Sequence, residues 1–297
     1  MPGIIALFGP TAVGKTDVAL ALAARLRAQG ERPVAVSADA LQVYEGLETL
    51  TGVASPEERA QLEHRLVSFV PVDARFSVGQ YADLAHAEID DLLSEGATPI
   101  VVGGTGLYLR AALAELDLRP PPPEGVRERW ERELQRRGPE ALHDELRARA
   151  PWAAEKVDPR DRSRLVRYLE LHDLGELEEP TGPNRLWTED TRHPTRLVSL
   201  VMDRERLYER IEQRVDAMVE RGAMQEVRAA HAAGASETAR KALGFEQLLT
   251  GDVDAMKRRT RNYARRQLTW MRKLPGVELV DMTEKRPEDV AAMILPA

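Results

Sequence analysis

GPTAVGKTD, residues 9–17, fits the phosphate-loop pattern G-x-x-x-x-G-K-[ST] and follows directly on an apolar run, GIIALF (3–8). In this pattern the glycines let backbone N–H groups face a polyphosphate, and the helix beginning at the lysine adds the partial positive charge of its N-terminus. The flanking residues supply the context such a loop needs. GIIALF reads as a buried strand, and DVALALAARLRAQG (17–30) as an amphipathic helix closed by Gly30. Strand, glycine loop and helix in that order predict an α/β fold of the P-loop NTPase type. They mark Gly9, Pro10, Thr11, Ala12, Val13, Gly14, Lys15 and Thr16 as the phosphate-binding stretch, with Lys15 reaching the outer phosphates and Thr16 available to Mg²⁺. The loop leaves open which molecule carries the phosphates.

Outward from the loop, RPVAVS (32–37) reads as a second buried strand and TPIVVGG (98–104) as another, with a helical pattern, VGQYADLAHAEIDDLLSEG (78–96), between them. Strands alternating with helices predict a parallel sheet covered by helices on both faces. At LRPPPPEG (118–125) the texture changes, and to about residue 174 the chain is charged, helical in period and without a strand-like run. GELEEPTGPN (175–184) reads as a loop, and TRLVSLVM (195–202) returns as a strand. The expected organisation is a catalytic core of residues 1–118 and 190–297, with a small helical domain, 119–189, inserted into it. RLYERIEQRVDAMVERG (206–222) then places Leu207, Ile211, Val215 and Met218 on one helical face, read as core, which leaves Arg204, Arg210 and Arg214 free for chemistry.

Composition bounds the partners. The 297 residues are 43% hydrophobic and 31% charged, as in a soluble globular chain. The net charge of −7 does not of itself advertise nucleic acid, although local charge matters more at a contact surface. Only six of the 42 basic residues are lysines, so the arginine excess reads as composition rather than function. No apolar stretch approaches the about 18 residues of a membrane span, and the N-terminus lacks the basic segment of a signal peptide. The absence of cysteine excludes disulfides and thiolate metal sites. The histidines at 64, 86, 143, 172, 193 and 231 lack ligand spacing, which argues against zinc. A cytoplasmic protein is expected.

Three further segments are candidates for chemistry. VSADALQVYEG (36–46) ends the second strand, where α/β sheets place ligands, and offers Asp39 as a base or metal ligand; the alternative is an aspartate capping a turn. VVGGTGLYL (101–109) is a similar junction: Gly103, Gly104 and Gly106 allow close backbone approach to a ligand and Thr105 supplies a hydroxyl, or the glycines merely make a turn. KRRTRNYARRQLTWMRK (257–273) carries eight basic and no acidic side chains, with Tyr263, Leu268 and Trp270 interleaved among Arg258, Arg259, Arg261, Arg265 and Arg266. That mixture suits a nucleic-acid backbone and its bases; the alternative is a solvated face beside a buried aromatic stripe. DPRDRSRLVR (158–167) is a second arginine-bearing stretch, balanced by acids.

GPTAVGKT, SADALQVY, VVGGTGLYL, DRSRLVRYLEL, RERLYERIEQRVDAMVERG and TRNYARRQLTWMRKL stand in an order and at a spacing that resemble the tRNA dimethylallyltransferase (isopentenyltransferase) family, from residue 9 to about residue 274. The resemblance implies that the P-loop grips the diphosphate of dimethylallyl diphosphate rather than a nucleotide. It implies transfer of the five-carbon group to the exocyclic amine (N6) of the adenosine just 3′ of the anticodon in tRNA, with Mg²⁺ as cofactor. It implies Asp39 as the base, and Lys15, Thr16 with Mg²⁺, and Arg204 as the groups facing the leaving diphosphate. Asp39, Ala40, Leu41, Gln42, Thr105, Arg127, Ser163, Arg164, Arg167 and Arg265 match positions that meet the anticodon stem-loop, and a monomer is implied.

The chain departs from the family pattern in places. LTGVASP (50–56) lacks the lysine of a Thr-Ala-Lys-Pro stretch, ALGFEQ (242–247) has Phe245 in place of a tyrosine, and residues 171–187 are acidic and poorly matched. Rival readings are a P-loop small-molecule kinase, a non-catalytic RNA-binding module, and a prenyltransferase acting on free adenine nucleotides.

Overall fold

The computed structural model describes residues 3–119, 122–123, 125–181 and 185–296. β1 (Ile4–Phe8) and α1 (Lys15–Ala28) flank the phosphate loop; β2 (Arg32–Ser37) is followed by the short α2 (Glu48–Thr51) and α3 (Pro56–Gln61) and by the two-residue β3 (His64–Arg65). α4 (Val78–Ser94), β4 (Ala97–Gly103) and α5 (Gly106–Leu113) complete the first stretch. A run of helices comes next: α6 (Val126–Arg137), α7 (Pro139–Arg149), α8 (Pro151–Glu155) and α9 (Arg162–Asp173). The chain then continues through β5 (Thr195–Val201), α10 (Arg204–Glu220), α11 (Ala223–Ala232), α12 (Phe245–Leu249), α13 (Val253–Met271), β6 (Glu278–Asp281) and α14 (Pro287–Ile294).

Among the described residues the strands form one six-stranded parallel sheet in the order β3-β2-β4-β1-β5-β6. The period-2 alternation of strand side chains is what lets it carry two cores. Ile5, Leu7, Ala35, Ile100, Val198 and Leu200 face a cluster that includes Val18 and Leu22 of α1 and Val290 and Ile294 of α14. Ile4, Ala6, Phe8, Val34, Val36 and Val101 face the opposite cluster, with Tyr81, Ala85 and Ile89 of α4 and Leu109 of α5. Strands buried on both faces read as continuous apolar runs, which is why β1, β2, β4 and β5 stand out in the sequence. β3 and β6 do not: one has two residues, and the other is an edge strand exposed at Glu278, Leu279 and Asp281.

Chain order places β1 between β4 and β5, while β2 lies beyond β4. The connections after the adjacent strands β1 and β4 therefore run in opposite directions, to β2 and to β5, a topological switch point of the kind that makes a crevice at the strands' C-terminal ends. A third cluster beyond that end joins Val43, Tyr44, Leu47 and Leu50 from the β2 connection to Val215, Met218, Phe245 and Met256.

The chain divides into two compact units, Met1–Leu118 with Arg185–Ala297, and Arg119–Asn184. The core resumes at Arg185, rather than at residue 190, because Trp187 belongs to it: its ring packs 4.5 Å from that of Trp270. The helical unit has its own core, with Trp130, Leu142, Leu146, Leu165 and Leu169 buried together. Two of its carboxylates are each shared by a pair of arginines. Glu170, fully buried, accepts from Nη1 of Arg127 at 3.2 Å and of Arg167 at 3.3 Å. Asp173 accepts from Trp130 Nε1 at 2.8 Å and Arg149 Nη1 at 2.9 Å, and pairs with Arg129; Arg129 and Arg149 lie over the Trp130 ring.

Candidate active site

The phosphate loop owes its shape to Gly14, whose φ of 103° at the N-cap of α1 is a conformation that a side chain would strain. Ala12 also lies in the left-handed region, at φ 67°. Lys15 Nζ donates to the carbonyls of Gly9 and Pro10, both at 3.0 Å. Two side chains from distant elements hold the loop: Arg210 Nε of α10 donates to Ala12 O at 2.8 Å, and Thr11 N donates to Gln267 Oε1 of α13 at 2.9 Å. Thr11, Ala12, Gly14, Lys15 and Thr16 line a cavity of about 860 Å³; Gly9, Pro10 and Val13 do not, being buried beneath the loop.

Asp39 lines the same cavity from the C-terminal end of β2. Its Oδ1 accepts from Leu41 N at 2.9 Å, so it caps a turn; its Oδ2 accepts from Thr105 Oγ1 at 3.4 Å and faces the cavity. The structural and the chemical readings of Asp39 therefore both apply, one to each oxygen. Thr105, at the N-cap of α5, also shares a 3.2 Å hydrogen bond with the hydroxyl of Tyr263. Burial pushes the Tyr263 phenol up to about 12, so this hydroxyl keeps its proton. Burial likewise raises Asp39 above the usual carboxylate range, against the opposing pull of the Leu41 amide and Lys15. Lys15 moves the other way: burial and the neighbouring Arg214 bring it down to about 7.

The arginines of α10 are sorted by helical spacing. Arg206, Arg210 and Arg214, at intervals of four, line the cavity beside the buried stripe of Leu207, Ile211, Val215 and Met218. Arg214 has an Nε that is buried without a hydrogen-bond partner, and it packs against Gly52 so closely that a Cβ there would lie 1.8 Å from Nη2. Arg204, expected at the leaving diphosphate, is instead exposed at the first position of α10, with its guanidinium over the Tyr208 ring, and is not part of the lining. Arg214 is the stronger candidate for that role. The four-residue spacing of 206, 210 and 214 along the border of the apolar stripe is the signal that distinguishes them.

The glycines of the β4 junction serve the protein as much as a ligand. A Cβ on Gly103 would lie 2.3 Å from Ala38 O, one on Gly104 2.3 Å from Gln267 Nε2, and one on Gly106 2.1 Å from the Trp270 indole. What their bareness admits is neighbouring chain, although Gly103 and Gly104 also line the cavity. Of the segment after Asp39, Ala40, Leu41 and Gln42 line the cavity too; Gln42 accepts from Ser37 Oγ at 2.8 Å and donates to Gly52 O at 3.1 Å.

The basic helix, α13, is partly neutralised by α10. Lys257 pairs with Asp216 at 2.6 Å and Arg261 with Glu212 at 2.6 Å, while Arg259 and Arg266 line the cavity. Arg265 is exposed, hydrogen-bonded to Asn262, and outside the lining. The inward face of α13 is not an aromatic stripe: Met256, Thr260, Ala264, Gln267 and Met271 are its buried residues, and two of them are polar. Within the helical unit, Ser163 and Arg164 are exposed on the first turn of α9, whereas Arg127 and Arg167 are committed to Glu170.

A parallel sheet with a glycine loop after its central strand, and a cavity lined by a lysine, arginines and a buried carboxylate, define an α/β enzyme of the P-loop class. A family model described as IPP transferase matches residues 42–274. A tRNA dimethylallyltransferase of Thermobifida fusca is 41% identical over 290 residues, covering 93% of this chain and 89% of the relative. That of Streptomyces coelicolor is 40% identical over 287 residues, with 93% and 89% covered. The crystal structure of the full-length tRNA isopentenylpyrophosphate transferase from Bacillus halodurans matches with a TM-score of 0.69 at 32% identity, covering 98% of this chain and 95% of that one. The chain belongs to the IPP transferase family of tRNA dimethylallyltransferases, and the small-molecule kinase reading is not favoured.

Proposed function

We propose that the chain transfers the dimethylallyl group of dimethylallyl diphosphate to N6 of the adenosine 3′-adjacent to the anticodon in tRNA, releasing diphosphate. The observation that carries this reading is that Lys15 and Asp39 line one cavity. An allylic diphosphate needs cationic and N–H partners at its leaving group, and an aromatic amine needs a base as it attacks. The exocyclic nitrogen attacks C1 of the donor, the C1–O bond breaks with its electron pair going to diphosphate, and the amine proton passes to Asp39. A carboxylate raised by burial holds that proton better than an exposed one. Thr105, oriented by Tyr263, donates to Asp39 and stands where the acceptor base enters. Lys15, Arg214 and the amides at the start of α1 take up the charge that grows on diphosphate.

Mg²⁺ suits this donor set. Among the described residues no group of three His, Cys, Asp or Glu side chains is arranged to hold a metal. The hydroxyl of Thr16 on the cavity wall fits an ion that takes one or two protein ligands and completes its shell with phosphate oxygens and water. Thr16 would hold it, and the ion would supply further neutralisation of the diphosphate.

The acceptor base must leave the anticodon stack to enter the cavity, at a cost of a few kcal/mol. Arg259 and Arg266 at the cavity, Arg265 on the outer face of α13, and Ser163 and Arg164 on α9 are the contacts that offset it, with Arg127 and Arg167 engaging tRNA through whatever capacity Glu170 leaves them. Among the described residues no helix is long and apolar enough to cross a membrane, and the reading has the chain acting as a monomer in the cytoplasm. The test is one incubation of protein, Mg²⁺, unmodified tRNA and labelled dimethylallyl diphosphate, without nucleotide. Label at an adenosine beside the anticodon is the expected result. Label that enters free adenosine monophosphate but not an anticodon stem-loop would overturn the choice of acceptor.

A further inference from the structure

Gln267 sits on the buried face of α13 and makes two hydrogen bonds to two different loops. Its Oε1 accepts from Thr11 N, in the phosphate loop after β1, at 2.9 Å; its Nε2 donates to Gly104 O, in the loop after β4, at 2.7 Å. β1 and β4 are paired neighbours, so one amide group closes the gap between the two loops that leave them. The arrangement is directional: the amide's oxygen can only accept, here from an N–H, and its NH₂ can only donate, here to a carbonyl. It also demands a bare backbone at 104, where a Cβ would lie 2.3 Å from Nε2, 3.2 Å from Gly9 O and 3.4 Å from Lys15 Nζ.

We propose that Gln267 is a positioning residue for the transfer step. It sets the distance between the phosphate loop, which holds the donor, and the Gly104–Thr105 turn, which faces the acceptor base; this inference rests on the functional reading above. The phosphate loop is gripped from both sides: Arg210 takes the Ala12 carbonyl and Gln267 takes the Thr11 amide. Thr11 N is thereby committed to the scaffold, and the amides that open α1 are left for phosphate. One turn earlier on α13, Tyr263 reaches the Thr105 hydroxyl, so a single helix addresses both reactants' loops through residues four apart. Two reacting centres held by separate loops lose rate steeply when their spacing drifts, by as much as about a hundredfold for 1 Å.

The test is a double-mutant cycle on the full chain with Gln267→Ala, Gly104→Ala and the pair, measuring kcat, KM for each substrate, tRNA affinity and the thermal midpoint. Gln267→Ala is expected to lower kcat by about tenfold or more and to raise KM for dimethylallyl diphosphate severalfold. Affinity for tRNA should stay within about twofold, because no phosphate contact is lost. Gly104→Ala displaces the same amide from the other side and should reproduce the defect. The double variant should lose less than the product of the two single losses, since removing the glutamine relieves the closest contact of the added methyl. Unchanged kcat and donor KM in the folded fraction of Gln267→Ala, with only the midpoint lowered, would make the bridge a purely structural contact and overturn the proposal. Multiplicative losses in the double variant would overturn it as well. A wild-type chain that labels no tRNA would instead bring down the functional reading, and this inference with it.

Discussion

The helical unit and the core cavity both bury charge, and they do so in opposite ways. In the helical unit two carboxylates meet their cations within the unit: the buried Glu170 lies between Arg127 and Arg167, and the more exposed Asp173 between Arg129 and Arg149, with the Trp130 ring beneath the guanidinium pair. In the cavity, Lys15 donates only to carbonyl oxygens, Arg214 keeps a buried Nε without a partner, and Asp39 has no ion pair among the described residues. The consequence is that burial pushes each of the two ions toward neutrality, raising the pKa of Asp39 and lowering that of Lys15. Charges cancelled inside the protein are architecture. Charges desolvated without cancellation are held at a cost that substrate is there to offset.

Substitutions can break this contrast or sharpen it. Asp39→Ala should give the largest effect, a fall in single-turnover transfer on the order of 10²–10⁴ with donor affinity nearly intact, because the lost group acts only as the amine gives up its proton; near-normal turnover would remove Asp39 as the base. Arg214→Ala should cost about 10² or more in kcat by removing cationic donors from the leaving group. An equal loss with Arg204→Ala would return that role to the exposed arginine. Glu170→Ala belongs to the other side of the comparison. It leaves two guanidinium groups without their shared buried anion and should cost about 3 kcal/mol of stability in denaturant unfolding, with kcat at saturating substrates unchanged.

The smallest effect is one of pH. With Lys15 brought down to about 7, the free enzyme loses this cation as pH rises through 7. Bound diphosphate favours the charged form and raises the pKa in the complex. Binding then takes up a proton above pH 7, so donor affinity should fall as pH rises, by at most about tenfold per unit. Lys15→Arg stays charged and should flatten that slope in titrations of donor binding.

How much of this was legible in the sequence follows from what each residue depends on. The buried strands, the loop of residues 9–16 and the apolar stripe of α10 were readable because they obey local periodicity. The junctions at Asp39 and Thr105 were readable because each follows a buried strand. The edge strands β3 and β6 were not, being too short or too exposed to carry a pattern. The family resemblance points to Arg204, whereas the four-residue spacing of 206, 210 and 214 beside the apolar stripe is the local signal for Arg214, which lines the cavity. Gln267 carries no local signal, standing in an arginine-rich helix; its partners lie 256 and 163 residues away, beyond the reach of any window.

The division of the chain into two units has a spectroscopic consequence. The four tryptophans are shared equally, Trp130 and Trp152 in the helical unit, Trp187 and Trp270 in the core. The core pair lies with ring centroids 4.5 Å apart and planes tilted by 43°, and Trp270 rests on Gly106 beside the Thr105 turn. The helical pair is separated by its own chemistry, one ring under two guanidiniums and the other edge-on to Tyr168. The molecule thus carries two built-in optical labels: a contacting pair that reports on the turn at Thr105, and a second pair that reports on the inserted helices.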